Sequence, residues 1–409
     1  MESFIVDGGK SALDLEKDNI FSKMVNQRGK DLRPLFLFQM IKISYPPNDA
    51  CNMILNIFRK PNNNMNMYKH ARKVLQAMAS QINVPEIVNQ NISEDSIVHG
   101  LIISFMPVPV PNEFLGFVFR AAASPFIINR AELLKYIYRM SPEEISEKLL
   151  PLIVGVCEML SKDKSPYVLI HVVKPSFVFV KEQNKIQRIM YQLVKNADTS
   201  VKVCLALNFS KIFAIDQEIA FLFLNDRDNK VVAATIPQIK QCKISRDNLK
   251  PLYSNTDPII RVLIMRHLGG LSNDDIGQYI RDSQREVLVE LIRYLGLLDK
   301  PDTRIFALLI NKCQEMEDDY NQEWRMSYEI MCIPISVHHS LGNTSFEFAL
   351  RCITKHPMIL MKKASEVVSS FYQIGGIYRQ QVSLLLEKLN SNPDQFSSIA
   401  HGIISKTIP

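Results

Sequence analysis

Apolar residues recur along this chain with the spacing of buried helix faces. Between Ile260 and Leu271 they fall every third or fourth residue, and the stretches that begin at Trp324 and Met361 repeat this spacing. A period of about 3.6 residues predicts amphipathic α-helices. Alternation of the kind that predicts strands is scarce. The pattern therefore predicts an all-α fold of short helices that are paired and separated by polar turns.

A longer period is superimposed on the helical one. A polar residue that can cap a helix is followed five positions later by an apolar residue and six positions later by a base. Asn255 leads in this way to Ile260-Arg261, and Asp319 leads to Trp324-Arg325. Ser124 leads to Asn129-Arg130, where a polar residue takes the apolar position. The first residues of these patterns stand at positions 27, 66, 93, 124, 165, 196, 226, 255, 282, 319 and 356.

The mean spacing of these positions is about 33 residues, against the roughly 40 residues of armadillo and HEAT-type helical repeats. The sequence therefore predicts an α-solenoid of HEAT-like repeats, a right-handed superhelical array of about eleven or twelve repeats that spans residues 1–409 as one domain. We expect the polar residue to cap the second helix. The base is expected to reach the cap or an acidic group of the neighbouring repeat. An irregular all-α fold is the alternative.

Composition narrows the class of protein further. The net charge of +6 over 409 residues includes no basic block, which argues against a nucleic-acid-binding role. No apolar run is long enough to span a membrane. The 7 cysteines are scattered without a Cys-x-x-Cys pair, and this pattern predicts free thiols in a reducing compartment. We expect a soluble protein of the cytoplasm or the nucleus.

The sequence offers no set of residues typical of an active site. Gly8-Gly9-Lys10-Ser11 resembles the end of a phosphate-binding loop, but Phe4 stands where that motif needs a glycine. His338-His339 is the only adjacent histidine pair, and neighbouring helical residues point about 100° apart, so they do not readily bind one metal. We therefore predict a protein without catalytic activity, metal or cofactor.

The carboxy-terminal third carries a specific resemblance. The segment Asp319–Ile330, which includes Trp324-Arg325, is similar to the Trp-Arg repeat of the scaffold (A) subunit of protein phosphatase 2A. Lys355–Ala364 resembles the next repeat of that family, and Tyr378–Leu389 with Asn392–Asp394 resembles the one after it. The similarity is most persuasive over residues 280–409.

This resemblance implies a horseshoe of HEAT repeats that holds a serine/threonine phosphatase catalytic subunit and an exchangeable regulatory subunit on its intra-repeat turns. Carried over by position, Trp324, Arg325 and Lys362 become candidate partner-binding residues. The chain departs from the family in being shorter and in lacking the base at Val232 and Leu288. Trp324 could instead fill the wedge between two repeats, and Arg325 could serve the ion-pair ladder within the array.

Three alternatives remain at this point. An importin-like or adaptor-like carrier would show acidic inner faces and Trp-Asn ladders, whereas this chain has 1 Trp and a basic balance. A nucleic-acid-binding helical repeat would lose affinity steeply with salt. An enzyme would gather carboxylates or histidines in one pocket.

Overall fold

The computed structural model describes residues 5–6, 10–11, 33–59, 65–174, 182–196, 198–213, 216–240, 242, 244–298, 302–319, 324–353, 357–391 and 394–408. Within them the chain is helical, which confirms the predicted all-α fold. A two-residue antiparallel strand pair, β1 (Ile5–Val6) with β2 (Lys10–Ser11), is the exception. Contacts between Cα atoms divide the chain into two compact units, Met1–Ala214 and Ile215–Pro409.

The amino-terminal unit is built from short helices. They are α1 (Arg33–Ser44), α2 (Pro47–Phe58), α3 (Met65–Met78), α4 (Val84–Gln90), α5 (Ile97–Phe105), α6 (Leu115–Arg120), α7 (Ile127–Arg139), α8 (Leu149–Leu160), α9 (Pro166–Val173), α10 (Gln183–Asn196), α11 (Thr199–Leu207) and α12 (Phe209–Ile212). Helices α1, α3, α5, α7, α9 and α11 form one layer in which each contacts the next. The intervening helices α2, α8 and α10 pack against that layer.

The carboxy-terminal unit repeats this arrangement. Its helices are α13 (Gln217–Leu224), α14 (Asn229–Thr235), α15 (Arg246–Tyr253), α16 (Pro258–His267), α17 (Asn273–Ile280), α18 (Arg285–Gly296), α19 (Thr303–Asp319), α20 (Trp324–Met331), α21 (Ile335–Leu341), α22 (Asn343–Ile353), α23 (Met358–Ile374), α24 (Gly376–Ser391) and α25 (Gln395–Thr407). Helices α14, α16, α18, α20, α23 and α25 contact one another in that order and form the repeat layer. The others return the chain between them.

Each repeat thus contacts chiefly its neighbours in sequence, which is the arrangement of an α-solenoid. In the carboxy-terminal unit, an apolar core runs between the layers from Met265 to Ile404. That residues 1–409 form one continuous array, and that the array is right-handed, stay predictions. No helix in the described part of the chain is both long and apolar enough to cross a membrane.

The polar residue that opens the repeat pattern forms a hydrogen-bonded turn immediately before the helix. Side-chain oxygens of Ser124, Asp226, Asn255 and Asp282 each accept a hydrogen bond from the backbone N–H two residues on, at distances of 2.8–3.2 Å. In each case that N–H belongs to the residue that precedes the helix. The prediction that these residues cap the helix is therefore wrong at these four positions. They fix the turn before the helix, and the cap position follows two residues later.

The predicted ion-pair ladder between repeats is confirmed at two positions. Arg261 Nη2 lies 2.8 Å from Asp282 Oδ2 in the next repeat, and its Nη1 donates to the carbonyl of Asn255 in its own turn. Arg130 Nε similarly lies 2.6 Å from Asp163 Oδ2, and its Nη1 donates to the carbonyl of Ser124 at 2.7 Å. Each arginine ties its own turn to the turn that follows.

The polar residue at the apolar position of one repeat also has a structural reason. Asn129 is completely buried in α7. Its Oδ1 accepts a 2.9 Å hydrogen bond from the backbone N–H of Gly100 in α5, and its Nδ2 donates to Ser96 O and Ser124 Oγ. A Cβ at position 100 would lie 2.6 Å from Asn129 Oδ1. The two helices therefore approach closely at a hydrogen-bonded contact in place of an apolar one.

Candidate partner-binding groove

Four helices of the repeat layer bury equivalent positions in the core of the carboxy-terminal unit. Each presents two consecutive buried residues near its start. These pairs are Ile260-Arg261 in α16, Val287-Leu288 in α18, Met326-Ser327 in α20 and Leu360-Met361 in α23. They define a common register, so residues at the same distance from each pair occupy matching places on neighbouring helices.

The repeat register expected from the sequence is wrong at Trp324-Arg325. That pair stands two residues before the buried pair of α20, at the first two positions of the helix. The periodic pattern of α20 is satisfied equally well by either pair, and the buried one has the smaller side chains. At Met361-Lys362 the expected apolar position is confirmed, because Met361 is fully buried. The buried pair of α23 is Leu360-Met361, however, and Lys362 is exposed.

Arg325 therefore lies on the surface of the repeat layer, whereas Trp324 packs half-buried against the apolar core. Both help to line a groove of about 950 Å³. The groove crosses α16, α18, α20 and the start of α23. Trp324 is half-buried, and its ring meets that of Tyr328 edge to face at a centroid distance of 6.1 Å. Arg325 is exposed and makes no ion pair with any residue that the structure describes. The ladder role considered for Arg325 is thus not what the structure shows.

Lys362 lies farther along α23 and is exposed. It directly follows the buried pair of its helix, the position that Val262, Val289 and Tyr328 take on the three preceding helices. Those three residues line the groove, whereas Lys362 lies outside its lining. The structure thus brings Trp324 and Arg325 together and leaves Lys362 at the edge of the same surface.

One wall of the groove is a chain of four charged residues. Arg266 of α16 binds Glu290 of α18 through two contacts, Nε to Oε1 at 3.1 Å and Nη2 to Oε2 at 2.7 Å. Arg293 of α18 binds Glu329 of α20 through Nη2 to Oε1 at 2.5 Å and approaches Glu290 at 3.5 Å. Hydrogen bonds to Glu290 and Glu329 raise the pKa values of Arg266 and Arg293, respectively.

The rest of the groove combines apolar residues with the charged residues Arg285 and Glu286. Val262, Val289 and Tyr328 line it as one row, and Pro357 and Ile359 at the start of α23 line it as well. Ile359 keeps 47% of its surface exposed. An apolar strip beside a charged wall is the usual make-up of a surface that binds polypeptide.

Two carboxylates of the groove are engaged by arginines: Glu290, which is buried, and Glu329, which is partly buried. Among the described residues, no group of three or more His, Cys, Asp or Glu side chains could hold a metal ion. The histidine pair of the sequence is split: His338 is buried and lies 2.6 Å from Ser345 Oγ, whereas His339 Nε2 lies 3.0 Å from Ser370 Oγ.

The sequence analysis missed the four residues of the charged wall. Their positions follow a rule once the buried pairs are known. Counted from the first residue of each pair, an arginine six residues on in one helix contacts a glutamate three residues on in the next helix. Arg266 with Glu290 and Arg293 with Glu329 both follow this rule. The rule depends on the buried pairs, which the hydrophobic pattern alone places ambiguously.

Comparison with known proteins adds little to this description. No protein-family model matches the chain. No match was found among curated proteins. Among solved structures, the crystal structure of an engineered protein from the Northeast Structural Genomics Consortium aligns over 96% of this chain and 98% of its own, with 12% sequence identity and a TM-score of 0.33.

Proposed function

We propose that this protein is a non-catalytic scaffold subunit of a serine/threonine phosphatase complex of the 2A type. In this proposal the carboxy-terminal repeats hold the catalytic subunit, and an exchangeable regulatory subunit binds elsewhere on the chain. The sequence resemblance over residues 280–409 supports the choice of partner. The helical-repeat fold supports the scaffold role, because stacked hairpins expose long surfaces that suit extended or multiple protein partners.

One observation carries the proposal. Trp324 and Arg325 stand side by side at the start of α20, where Arg325 is exposed and Trp324 is half-buried. Tryptophan and arginine are the residue types that most often dominate protein–protein binding energy. Trp324 packs against the core and also lines the groove, so part of its ring surface is open to a partner.

The mechanism is one of positioning. The apolar core between the two layers fixes each helix relative to the next, and the inter-repeat ion pairs fix the turns. The start of α20 therefore presents Trp324 and Arg325 in a defined geometry, so a partner loses little binding energy to ordering them. The catalytic groups would belong to the partner.

The proposal includes a cytoplasmic or nuclear location. All 7 cysteines are free, and 6 of them are buried. Burial raises the pKa of Cys51 and of Cys157 to about 12, which keeps both as unreactive thiols. Free thiols of this kind are usual in a reducing compartment.

Affinity capture of the phosphatase catalytic subunit tests the proposal. We expect the variant W324A/R325A to bind at least about tenfold more weakly than the unchanged chain, since each residue is of the type that contributes about 2 kcal/mol or more at an interface centre. The matched control is R304A/L308A, which removes an exposed arginine and an exposed leucine from α19 of the other layer.

The two possible failures differ. If W324A/R325A captures the catalytic subunit as well as the control does, the assignment of these residues is wrong. If the unchanged chain captures no catalytic subunit of this class, the phosphatase role itself is wrong.

A further inference from the structure

The charged wall of the groove contains two arginines and two glutamates, but its solvent-facing side carries mainly positive charge. Arg266 and Arg293 keep 49% and 47% of their side-chain surface exposed, whereas Glu290 and Glu329 keep 8% and 14%. The carboxylates are therefore covered and the guanidinium groups face the solvent. Arg325 adds a third exposed guanidinium that lines the same groove. Arg285 and the exposed Glu286 also line it, so the groove holds four arginines and three glutamates.

Arginines that are already paired can still bind an anion. A guanidinium carries five N–H donors, and the contacts with Glu290 use two of those on Arg266. The remaining donors are available to a second carboxylate. Because Glu290 and Glu329 hold the two guanidinium groups in place, a ligand would not have to order these long side chains on binding.

The arginines repeat with the spacing of the helices. Arg266 and Arg293 each stand six residues after the first residue of the buried pair of their helix, so they occupy matching places on neighbours that pack about 8–10 Å apart. A polyproline II segment advances about 9 Å in three residues and returns to the same face. Acidic side chains three residues apart on such a segment would therefore meet successive guanidinium groups.

The apolar row of the groove favours apolar side chains between the acidic residues of a bound segment. Val262, Val289 and Tyr328 run parallel to the arginines across the same helices, four residues earlier on α16 and α18. An extended segment laid along the groove would place its charged side chains against the arginines and its apolar side chains against this row. Crossing four helices corresponds to about 27 Å, or about nine residues of such a segment.

We propose that this groove binds an extended segment of a partner protein with acidic side chains at every third residue and apolar side chains between them. This inference rests on the proposed scaffold role and names the chemistry of the segment that the groove takes. The segment would belong to a protein partner of the complex, and its binding would depend on Arg266 and Arg293.

Binding of a synthetic peptide to the full-length chain tests the inference. The probe is a fluorescein-labelled peptide of about twelve residues with glutamate at every third position and leucine or proline between, followed by fluorescence anisotropy. We expect binding that weakens as salt is raised. A peptide of the same composition with its glutamates consecutive should bind at least about tenfold more weakly, because only one arginine can then be reached.

Substitution at the wall gives the second arm. R266Q/R293Q should lower affinity at least about tenfold, whereas R59Q should leave it unchanged. Arg59 is the matched control because it is a half-exposed arginine, 43% by side chain, paired with Glu94 at 3.1 Å in the amino-terminal unit. Equal affinities for R266Q/R293Q and R59Q would overturn the inference.

Two substitutions of opposite charge at Val289, on the groove floor, provide a second test in case R266Q/R293Q fails to fold. Val289 is partly exposed on α18, the helix that carries Arg293. V289E should weaken the spaced-glutamate peptide and V289K should not, although both introduce a charge. Equal effects of the two substitutions would refute the inference, as would tighter binding of a spaced-lysine peptide or of single-stranded RNA.

Peptide binding and capture of the catalytic subunit test the two proposals separately. Loss of peptide binding in R266Q/R293Q with retained capture of the catalytic subunit supports both proposals as distinct contacts. Absence of peptide binding by the unchanged chain refutes only the inference about the segment. Absence of capture refutes only the phosphatase role.

Discussion

The substitution Asp282→Asn tests whether ion pairs between repeats stabilise the stacked hairpins. Asp282 lies in the turn before α18, and its Oδ2 is 2.8 Å from Arg261 Nη2 on α16. Its Oδ1 also accepts from the backbone N–H of Gln284 at 2.8 Å. Asparagine keeps an oxygen for that turn and removes only the charge, so the substitution isolates the contribution of the ion pair.

The size of the effect follows from burial. The side chains of Arg261 and Asp282 are 10% and 12% exposed, and Arg261 Nε is buried without a hydrogen-bond partner. At 2.8 Å and an effective dielectric constant of about 20, the gross attraction is about 6 kcal/mol. Removing one partner of a buried pair leaves the other charge uncompensated, so we expect the free energy of unfolding to fall by about 3–5 kcal/mol.

The assay is urea-induced unfolding followed by circular dichroism, with amide hydrogen exchange to locate the loss in α16 and α18. Exchange is needed because neighbouring repeats can open without global unfolding. The control is Glu366→Gln, which removes an exposed pair with Lys363 on α23, whose side chains are 52% and 40% exposed. That change should cost less than about 1 kcal/mol.

A second variant checks the cause. Arg261→Met combined with Asp282→Asn should recover much of the lost stability, since no buried charge then lacks a partner. If Asp282→Asn costs no more than Glu366→Gln, the inter-repeat pair does not stabilise the array and the reasoning is refuted.

Three further substitutions test other features of the fold. Asn129→Ala should lower the free energy of unfolding by about 2–4 kcal/mol, because it leaves the buried N–H of Gly100 unpaired. Burial lowers the pKa of His338 from 6.5 to about 4, so the unfolded state binds the proton first, and stability should fall by up to about 3 kcal/mol as the pH drops from about 6.5 to 4. His338→Gln should flatten that dependence. Gly342→Ala should cost about 1–2 kcal/mol, because residue 342 has a φ of +57°.

Chemical denaturation at pH 7, repeated across pH 4–8 for His338, measures these effects. A fully retained stability in Asn129→Ala or Gly342→Ala would contradict the corresponding structural argument. For His338, an unchanged acid dependence in the glutamine variant would assign that dependence to other groups.

The repeat pattern shows which buried positions can be predicted from the sequence and which cannot. At Asn255 the pattern places Ile260 and Arg261 correctly, because an apolar residue and a base occur there in one unambiguous register. At α20 two registers are available, Trp324-Arg325 and Met326-Ser327, and both satisfy a period of 3.6 residues. The core selects the second pair, since Met326 and Ser327 fit between the layers and leave Trp324 half-buried against the core.

The charged wall of the groove lay beyond prediction for a related reason. Arg266 and Glu290 are 24 residues apart, and Arg293 and Glu329 are 36 apart. Unequal loops separate equivalent helices, so no fixed spacing in the chain connects the partners. Only the packing of α16, α18 and α20 brings them within 3.1 Å.

The sequence by itself determined the helices, their grouping into short repeats and the arginines that tie turns together, because these depend on local periodicity and capping. The tertiary structure decided which face of each helix is buried, and therefore which side chains line a groove. That choice depends on how side chains from several helices fill one shared interior, and it left Trp324 half-buried against the core and Arg325 exposed.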